Sequence, residues 1–295
     1  MSIGEAEPEP VATGARPLAP GLHFVATPIG AARDITLRAL DILRAADVLA
    51  AEDTRTLRHL MEIHGIPLGG RPTVAYHDHN GEAVRPRLLR ALRDGKAVAY
   101  ASEAGTPLVA DPGYQLARAA IEAGHPVLAA PGPSAVLAAL TVSGLPTDRF
   151  LFAGFAPATA SARQKFLMEL AAVPATLVLY ESPKRVSRTL DDLVQCLGNR
   201  EAAVCRELTK RFEEVTRGPL ADLAAAFRDR AVKGEIVIVV DRAAPVQAEA
   251  RDVEAALAEA LGTMSVKEAA AAVAGRFGLP RRDVYQAALR LAEDE

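Results

Sequence analysis

The sequence predicts an α/β protein of two lobes with a ligand cleft between them, followed by a small C-terminal helical piece. Three observations carry that reading. Short, wholly apolar runs alternate with helix-length amphipathic segments, the pattern of a mainly parallel sheet covered by helices. Several runs stop abruptly at turns rich in Gly and Pro, most clearly at Ser102–Pro107 and Pro131–Ala135. Open parallel sheets place their ligands at the carboxyl ends of the strands, which is where these turns fall.

The first unit holds five strands. Residues 22–26 form the first, running into Thr27-Pro28-Ile29-Gly30. Asp34 is placed to cap a helix whose Ile35, Ala39, Ile42 and Ala46 share a face. Residues 48–51 form the second strand, ending in Glu52-Asp53-Thr54-Arg55. Asp53 can cap the helix that carries Leu57, Leu60, Met61 and His64 and stops at Gly65 and Pro67. The third strand, 73–76, ends in His77-Asp78-His79-Asn80 before a helix over about 82–93 bearing Arg85, Arg87, Arg90 and Arg93. The strand at 98–101 leads to Asp111-Pro112-Gly113, with Asp as cap, and a helix closing at Gly124. The fifth strand, 127–130, precedes a helix that Ser134 can cap and that ends at 144–146.

A second α/β unit follows, with strands at 150–153, 176–180, 202–206 and 234–240 and helices at 160–170, 183–197 and 219–232. Residues 213–217 suit a further, antiparallel strand. The expected organisation is a disordered Pro-, Ala- and Glu-rich tail over 1–20, α/β domains at 21–147 and 148–242, a linker at 243–250, and a helical domain at 251–295. The last domain reads as three helices, 252–261, 265–277 and 281–292, and Ser265-Val-Lys-Glu268 has the pattern of a capping box.

Composition narrows the function classes. Half of the 295 residues are hydrophobic, and the net charge of −3 argues against a globally basic nucleic-acid binder while leaving local basic faces open. No run approaches the ~20 apolar residues of a membrane span, and the N-terminus lacks the pattern of a signal peptide, so a soluble cytoplasmic protein is expected. The two cysteines, Cys196 and Cys205, read as reduced thiols in apolar segments. There is no G-x-G-x-x-G, Walker A or G-x-S-x-G motif. What remains is a set of strand-end turns of small residues, at 27–30, 102–107, 131–135 and Tyr180-Glu181-Ser182-Pro183. Such turns let main-chain groups approach a flat polar ligand closely.

Taken together and in this order, these stretches resemble the tetrapyrrole (corrin/porphyrin) methylase superfamily, and within it the 16S rRNA (cytidine-2′-O)-methyltransferases. Further matching stretches are Asp34-Ile-Thr36, Ala50-Ala-Glu-Asp-Thr-Arg55, His77-Asp-His-Asn80, Asp111-Pro-Gly-Tyr114, Gly144-Leu-Pro146, Asp148-Arg-Phe150, Arg206-Glu-Leu-Thr-Lys210 and Lys233-Gly-Glu235. Two residues depart from the usual pattern: Ala31 stands where Asn is usual, and Glu103 where Asp is usual.

The resemblance implies an S-adenosylmethionine cofactor folded into the interlobe cleft. Its expected contacts are Thr27, Pro28 and Gly30; Ser102, Glu103, Ala104, Gly105, Thr106 and Pro107; Pro131, Gly132, Pro133, Ser134 and Ala135; and Tyr180 and Glu181. The reaction would pass a methyl group to a ribose 2′-hydroxyl of 16S rRNA or the small ribosomal subunit. That hydroxyl needs a proton acceptor, for which Glu52, Asp53, His77 and Lys210 are the expected catalytic set, with His79 and Glu207 as further bases. His77 and His79, alternating along an extended segment, should point to opposite sides. They lack further metal ligands, and no metal is expected. Arg55, Arg58, His79, Arg85, Lys184, Arg185 and Arg211 are the expected RNA contacts, and a homodimer would enlarge that surface. Two alternatives stand beside this reading: a tetrapyrrole-pathway C-methyltransferase on the same fold, and a non-enzymatic nucleic-acid-binding regulator that uses the C-terminal helices.

Overall fold

A computed structural model describes residues 18–77, 79–243, 250–277 and 279–293. The tail expected over 1–20 lies outside the described residues as far as position 17, as does 244–249 of the expected linker.

The first lobe runs β1 (Gly21–Val25), α1 (Leu37–Ala45), β2 (Val48–Ala51), α2 (Thr54–Ile63), β3 (Thr73–Ala75), α3 (Gly81–Arg93), β4 (Ala97–Ala101), α4 (Tyr114–Glu122), β5 (Val127–Ala130) and α5 (Ala135–Ser143). The sheet order is β3-β2-β4-β1-β5, and every pairing is parallel, so all five carboxyl ends lie along one edge. In β1, β2 and β4 every residue is buried because both faces are covered, whereas the edge strands β3 and β5 keep exposed positions. Leu49, Ala51, Ala99 and Ala101 pack with α1 and α2, whereas Val48, Ala50, Val98 and Tyr100 pack with α3 and α4. The two-residue side-chain period thus feeds two cores from one strand. Each fully buried Leu or Val there contributes roughly 1.5–3 kcal/mol.

Two caps differ from expectation. Residues Ala32–Asp34 make a 3-10 turn, and Thr36, not Asp34, caps α1 by accepting from the Ala39 N–H at 3.1 Å. Gly113, not Asp111, stands at the N-terminus of α4. Ser134 occupies the cap position of α5 without a side-chain bond to it.

The second lobe comprises β6 (Phe150–Phe155), α6 (Ala160–Leu170), β7 (Thr176–Glu181), α7 (Val186–Leu197), β8 (Glu201–Arg206), β9 (Glu214–Pro219), α8 (Leu220–Phe227) and β10 (Ile236–Val240). Its sheet, β6-β7-β10-β8-β9, is mixed: only β6 and β7 run parallel. The expected strand at 213–217 is present as β9, antiparallel to β8. Helix α7 starts at Val186 rather than 183, because residues 182–186 form a turn closed by Arg185 N–H to Ser182 C=O.

One face of this sheet is covered by α6, α7 and α8. The other is covered by α5 of the first lobe: Val136, Ala139 and Leu140 pack with Val178, Ala203, Cys205, Val237 and Val239. This is why α5 is apolar nearly all round. A first-lobe helix that covers the second lobe's sheet joins the two lobes.

The C-terminal helices α9 (Ala250–Leu261), α10 (Val266–Phe277) and α11 (Arg281–Glu293) enclose a small core of their own, including Leu257, Val273, Val284 and Ala288. The capping box forms: the Ser265 N–H donates to Glu268 Oε2 at 3.1 Å, and the Glu268 N–H donates to Ser265 Oγ at 3.4 Å.

Candidate functional site

The first-lobe turns are stitched into one wall. Thr27 and Gly105 exchange backbone hydrogen bonds of 2.9 and 3.0 Å. Thr27 Oγ1 donates to the Ser102 carbonyl at 3.2 Å, and the Ser102 hydroxyl donates to the Gly105 carbonyl. Thr106 Oγ1 donates to the Pro133 carbonyl at 2.9 Å and ties in the third turn. Thr27 and Ser102 are buried. Their hydroxyls are engaged in holding the wall, and neither residue is among those lining the adjoining cavity.

Against this wall the second lobe encloses a cavity of about 330 Å³. The first lobe lines it with Ile29, Ala104-Gly105-Thr106, Val109-Ala110-Asp111 and Ser134-Ala135; the second with Phe155, Tyr180–Pro183 and Gly234–Val237. Of the expected cofactor residues, Ala104, Gly105, Thr106, Ser134, Ala135, Tyr180 and Glu181 are brought together there. Pro28, Gly30, Glu103, Pro107, Pro131, Gly132 and Pro133 stand behind or beside it. Leu108 and Ala110, on the rim, hold left-handed backbone angles (φ 71° and 55°), a strain that persists only where the surroundings enforce it.

No Lys, Arg or His lines the cavity among the described residues. Tyr180 packs edge-on against Phe152 and Phe155, with ring centroids 4.8 and 5.5 Å apart. Burial, assisted by the Glu235 charge, pushes its phenol above the ordinary value, so it serves as a neutral hydroxyl. The Glu181 carboxylate is saturated from behind by the Ser182 N–H (2.6 Å), Thr189 Oγ1 (2.6 Å) and Arg185 (2.7 Å). Glu181 therefore supports the site from within the second lobe. Arg185, expected on the RNA surface, is turned inward for the same reason.

Acidic groups ring the cleft mouth. Burial first, then the charges of Glu52, Asp53 and Glu235, push the Glu103 carboxyl upward. Of the expected bases, Asp53 caps α2 through the Arg55 N–H at 2.7 Å and pairs with the Arg55 guanidinium, which holds its carboxyl at about 2. Lys210 Nζ donates to Glu207 and Glu235, each at 2.9 Å. Burial alone would depress the lysine, but those two bonds outweigh it and raise its pKa. Glu207 is held below the ordinary carboxylate range, chiefly by Lys210. In these geometries Asp53, Glu207 and Lys210 are each engaged in an ion pair.

His77 sits at the carboxyl end of β3 and Glu52 at that of β2. The Asn80 side chain builds the intervening turn: its Oδ1 accepts from the His77 N–H at 2.9 Å, and its Nδ2 donates to the Ala75 carbonyl at 3.0 Å. The turn brings the two imidazoles edge to face, with centroids 6.0 Å apart, rather than to opposite sides. His77 Nδ1 is buried with no hydrogen-bond partner among the described residues.

Arg58, His79, Lys184 and Arg211 are exposed, as is Arg55 despite its Asp53 partner. Arg85 is half-buried and reaches the Tyr76 hydroxyl at 3.4 Å. Ile29, Asp111, Ser182, Pro183, Gly234 and Glu235 also line the cavity; they lie in stretches the sequence singles out but are not among the expected cofactor contacts, whereas Val109, Ala110, Phe155, Ile236 and Val237 lie outside those stretches.

Comparison with known proteins agrees with this geometry. The sequence matches the family described as Tetrapyrrole (Corrin/Porphyrin) Methylases over residues 21–224, and the RsmI C-terminal HTH domain over residues 247–292. A protein of Mesorhizobium japonicum named ribosomal RNA small subunit methyltransferase I is 48% identical over 95% of both chains. One of that name from Mycobacterium tuberculosis is 45% identical, covering 90% of this chain and 93% of its own. Among solved structures, cobalt precorrin-4 methyltransferase (TM-score 0.55, 19% identity, 75% of this chain and 94% of that one) shares the fold. So does a Thermus thermophilus uroporphyrin-III C-methyltransferase complexed with S-adenyl homocysteine (TM-score 0.51, 22% identity, 74% and 96%). The chain belongs to the tetrapyrrole (corrin/porphyrin) methylase family.

Proposed function

We propose that this methyltransferase uses S-adenosylmethionine to methylate the 2′-hydroxyl of a cytidine in the 16S rRNA of the small ribosomal subunit. The observation that carries the reading is the near full-length identity to relatives named for small-subunit rRNA methylation. The interlobe cavity supports it, because its walls suit the proposed cofactor. Main-chain groups of 104–106 and 134–135 and the faces of Phe155 and Tyr180 fit a flat polar nucleoside, and the absence of lining cations fits a positively charged one.

Bound there, the cofactor supplies a methyl group on a sulfonium. The chain's part is to orient the acceptor hydroxyl, exclude water and take the proton. With Asp53, Glu207 and Lys210 engaged in ion pairs, His77 Nδ1 is the acceptor we favour, with Glu52 beside it. Exposed Arg58, Lys184 and Arg211 would hold RNA phosphates.

No described helix is long and apolar enough to cross a membrane. A cytoplasmic homodimer fits this activity: edge strand β6 leaves Phe150 and Leu151 exposed, apolar surface at the sheet's edge suited to a second copy. We propose domain boundaries at 21–147, 148–242 and 251–295, which the two sheets and the separate C-terminal core support.

The test is incubation with labelled S-adenosylmethionine and 30S subunits, naked 16S rRNA or a uroporphyrinogen-type acceptor. Label at one alkali-resistant ribose position supports the reading. Label on the macrocycle alone overturns it.

A further inference from the structure

Two glycines make room for two charged side chains where the lobes meet at the cavity. A Cβ on Gly30 would lie 2.4 Å from Lys210 Cγ, and one on Gly234 would lie 2.4 Å from the Glu207 carboxyl. The loop carrying Glu207 and Lys210 holds left-handed backbone angles at Glu207 (φ 51°) and Thr209 (φ 64°). Thr209 Oγ1 accepts from the Ala31 N–H at 3.1 Å, docking the loop on the first-lobe turn that ends in Gly30. Strain of this kind survives only where several contacts enforce it.

The contacts converge on Glu235. Glu207 Oε1 accepts from the Glu235 N–H at 3.0 Å, and Lys210 Nζ donates to Glu235 Oε2 at 2.9 Å. The backbone of Glu235 is thus pinned by Glu207 and its side chain by Lys210. Three acidic residues line the cavity: Asp111, Glu181 and Glu235. Glu181 is neutralised by Arg185 and saturated by hydrogen bonds. The Glu235 side chain is 72% exposed, and among the described residues Lys210 pairs with it through a single oxygen.

We propose that Glu235 is the carboxylate that meets the positive charge of the cationic cofactor, and that Lys210 is the positioning residue that aims it. The proposal rests on the S-adenosylmethionine reading above. A carboxylate near a sulfonium distinguishes it from the neutral thioether left after methyl transfer, because the two differ in charge at almost constant shape. It would therefore favour substrate cofactor over product.

Calorimetry with S-adenosylmethionine and with S-adenosylhomocysteine tests this on the full chain. Glu235→Gln is expected to weaken the sulfonium by about tenfold and the thioether by less than about threefold. Lys210→Met should reproduce much of that loss, and Lys210→Arg should recover it, with melting temperatures near that of the parent. Equal losses for both ligands, or no loss, in Glu235→Gln overturn the role of the carboxylate. So does a selective loss confined to Asp111→Asn. Unchanged affinities in Lys210→Met overturn the positioning role. Should Lys210→Met fail to fold, Glu235→Gln, which leaves the lysine in place, still decides for the carboxylate, and Lys210→Arg for the positioning: a folded arginine variant with the Glu235→Gln losses overturns it. If the parent protein binds neither ligand, the cofactor reading itself fails.

Discussion

Glu181 Oε1 and Arg185 Nη2 lie 2.7 Å apart, and the carboxylate has no exposed surface. Removing one partner of such a pair leaves an uncompensated buried charge. Arg185→Ala is expected to cost about 2–4 kcal/mol, below the full penalty for a broken buried pair because Ser182 and Thr189 still donate to the carboxylate. A denaturant melt measures it. A loss under about 0.5 kcal/mol would return Arg185 to the solvent-facing set expected from sequence.

His77→Ala should lower methyl transfer by about a hundredfold or more, the usual contribution of a positioned general base. Cofactor affinity should stay near that of the parent, since His77 does not line the cavity. Single-turnover rates combined with calorimetry separate the two. A variant at full speed would shift the role to Glu52.

Glu103→Ala tests the expected cofactor contact at that position. The side chain is exposed and stands outside the cavity lining, so cofactor affinity should change by less than about threefold, well short of a lost direct ion contact. Because Glu52, Asp53 and Glu235 share in raising its carboxyl, Glu103→Gln should also relieve repulsion at the cleft mouth. A large loss of affinity in Glu103→Ala would show that the carboxylate reaches the cofactor after all.

Glu214 governs part of the acid stability. Its carboxyl, paired first with Arg230 and then with Arg206, is held at about 2, against an ordinary 4.5. A depressed carboxylate stabilises the fold fully above the unfolded value and loses that contribution as pH falls from 4.5 through 2. After allowance for solvent screening the effect is about 1 kcal/mol. Glu214→Gln should therefore flatten the fall of the urea midpoint between neutral and acid pH. A parallel fall in variant and parent would show that the pair adds nothing.

The first lobe was legible because a strand buried on both faces must be apolar throughout. Val48–Ala51 and Ala97–Ala101 announce themselves, and Gly and Pro mark where each ends. The second lobe was legible as elements but not as a topology: nothing in 176–180 or 236–240 states whether the two strands run parallel. Caps were ambiguous wherever two polar residues lie close together, as Asp34 and Thr36 do, since the backbone chooses between them.

Local chemistry in the chain determined the strands, the strand-end turns and the family those turns belong to. What tertiary structure decided was which turn residues meet the cavity and which hold it up. Thr27 and Ser102 look like ligand contacts in the motif, yet their hydroxyls close bonds across 75 residues of chain. Glu235 belongs in sequence to the Lys233-Gly-Glu235 run, yet only the fold brings Lys210, 25 residues away, onto its carboxylate beside the cavity. A side chain's role follows from the donors and charges that surround it, and these come together only when distant strands pair and the two lobes close on α5.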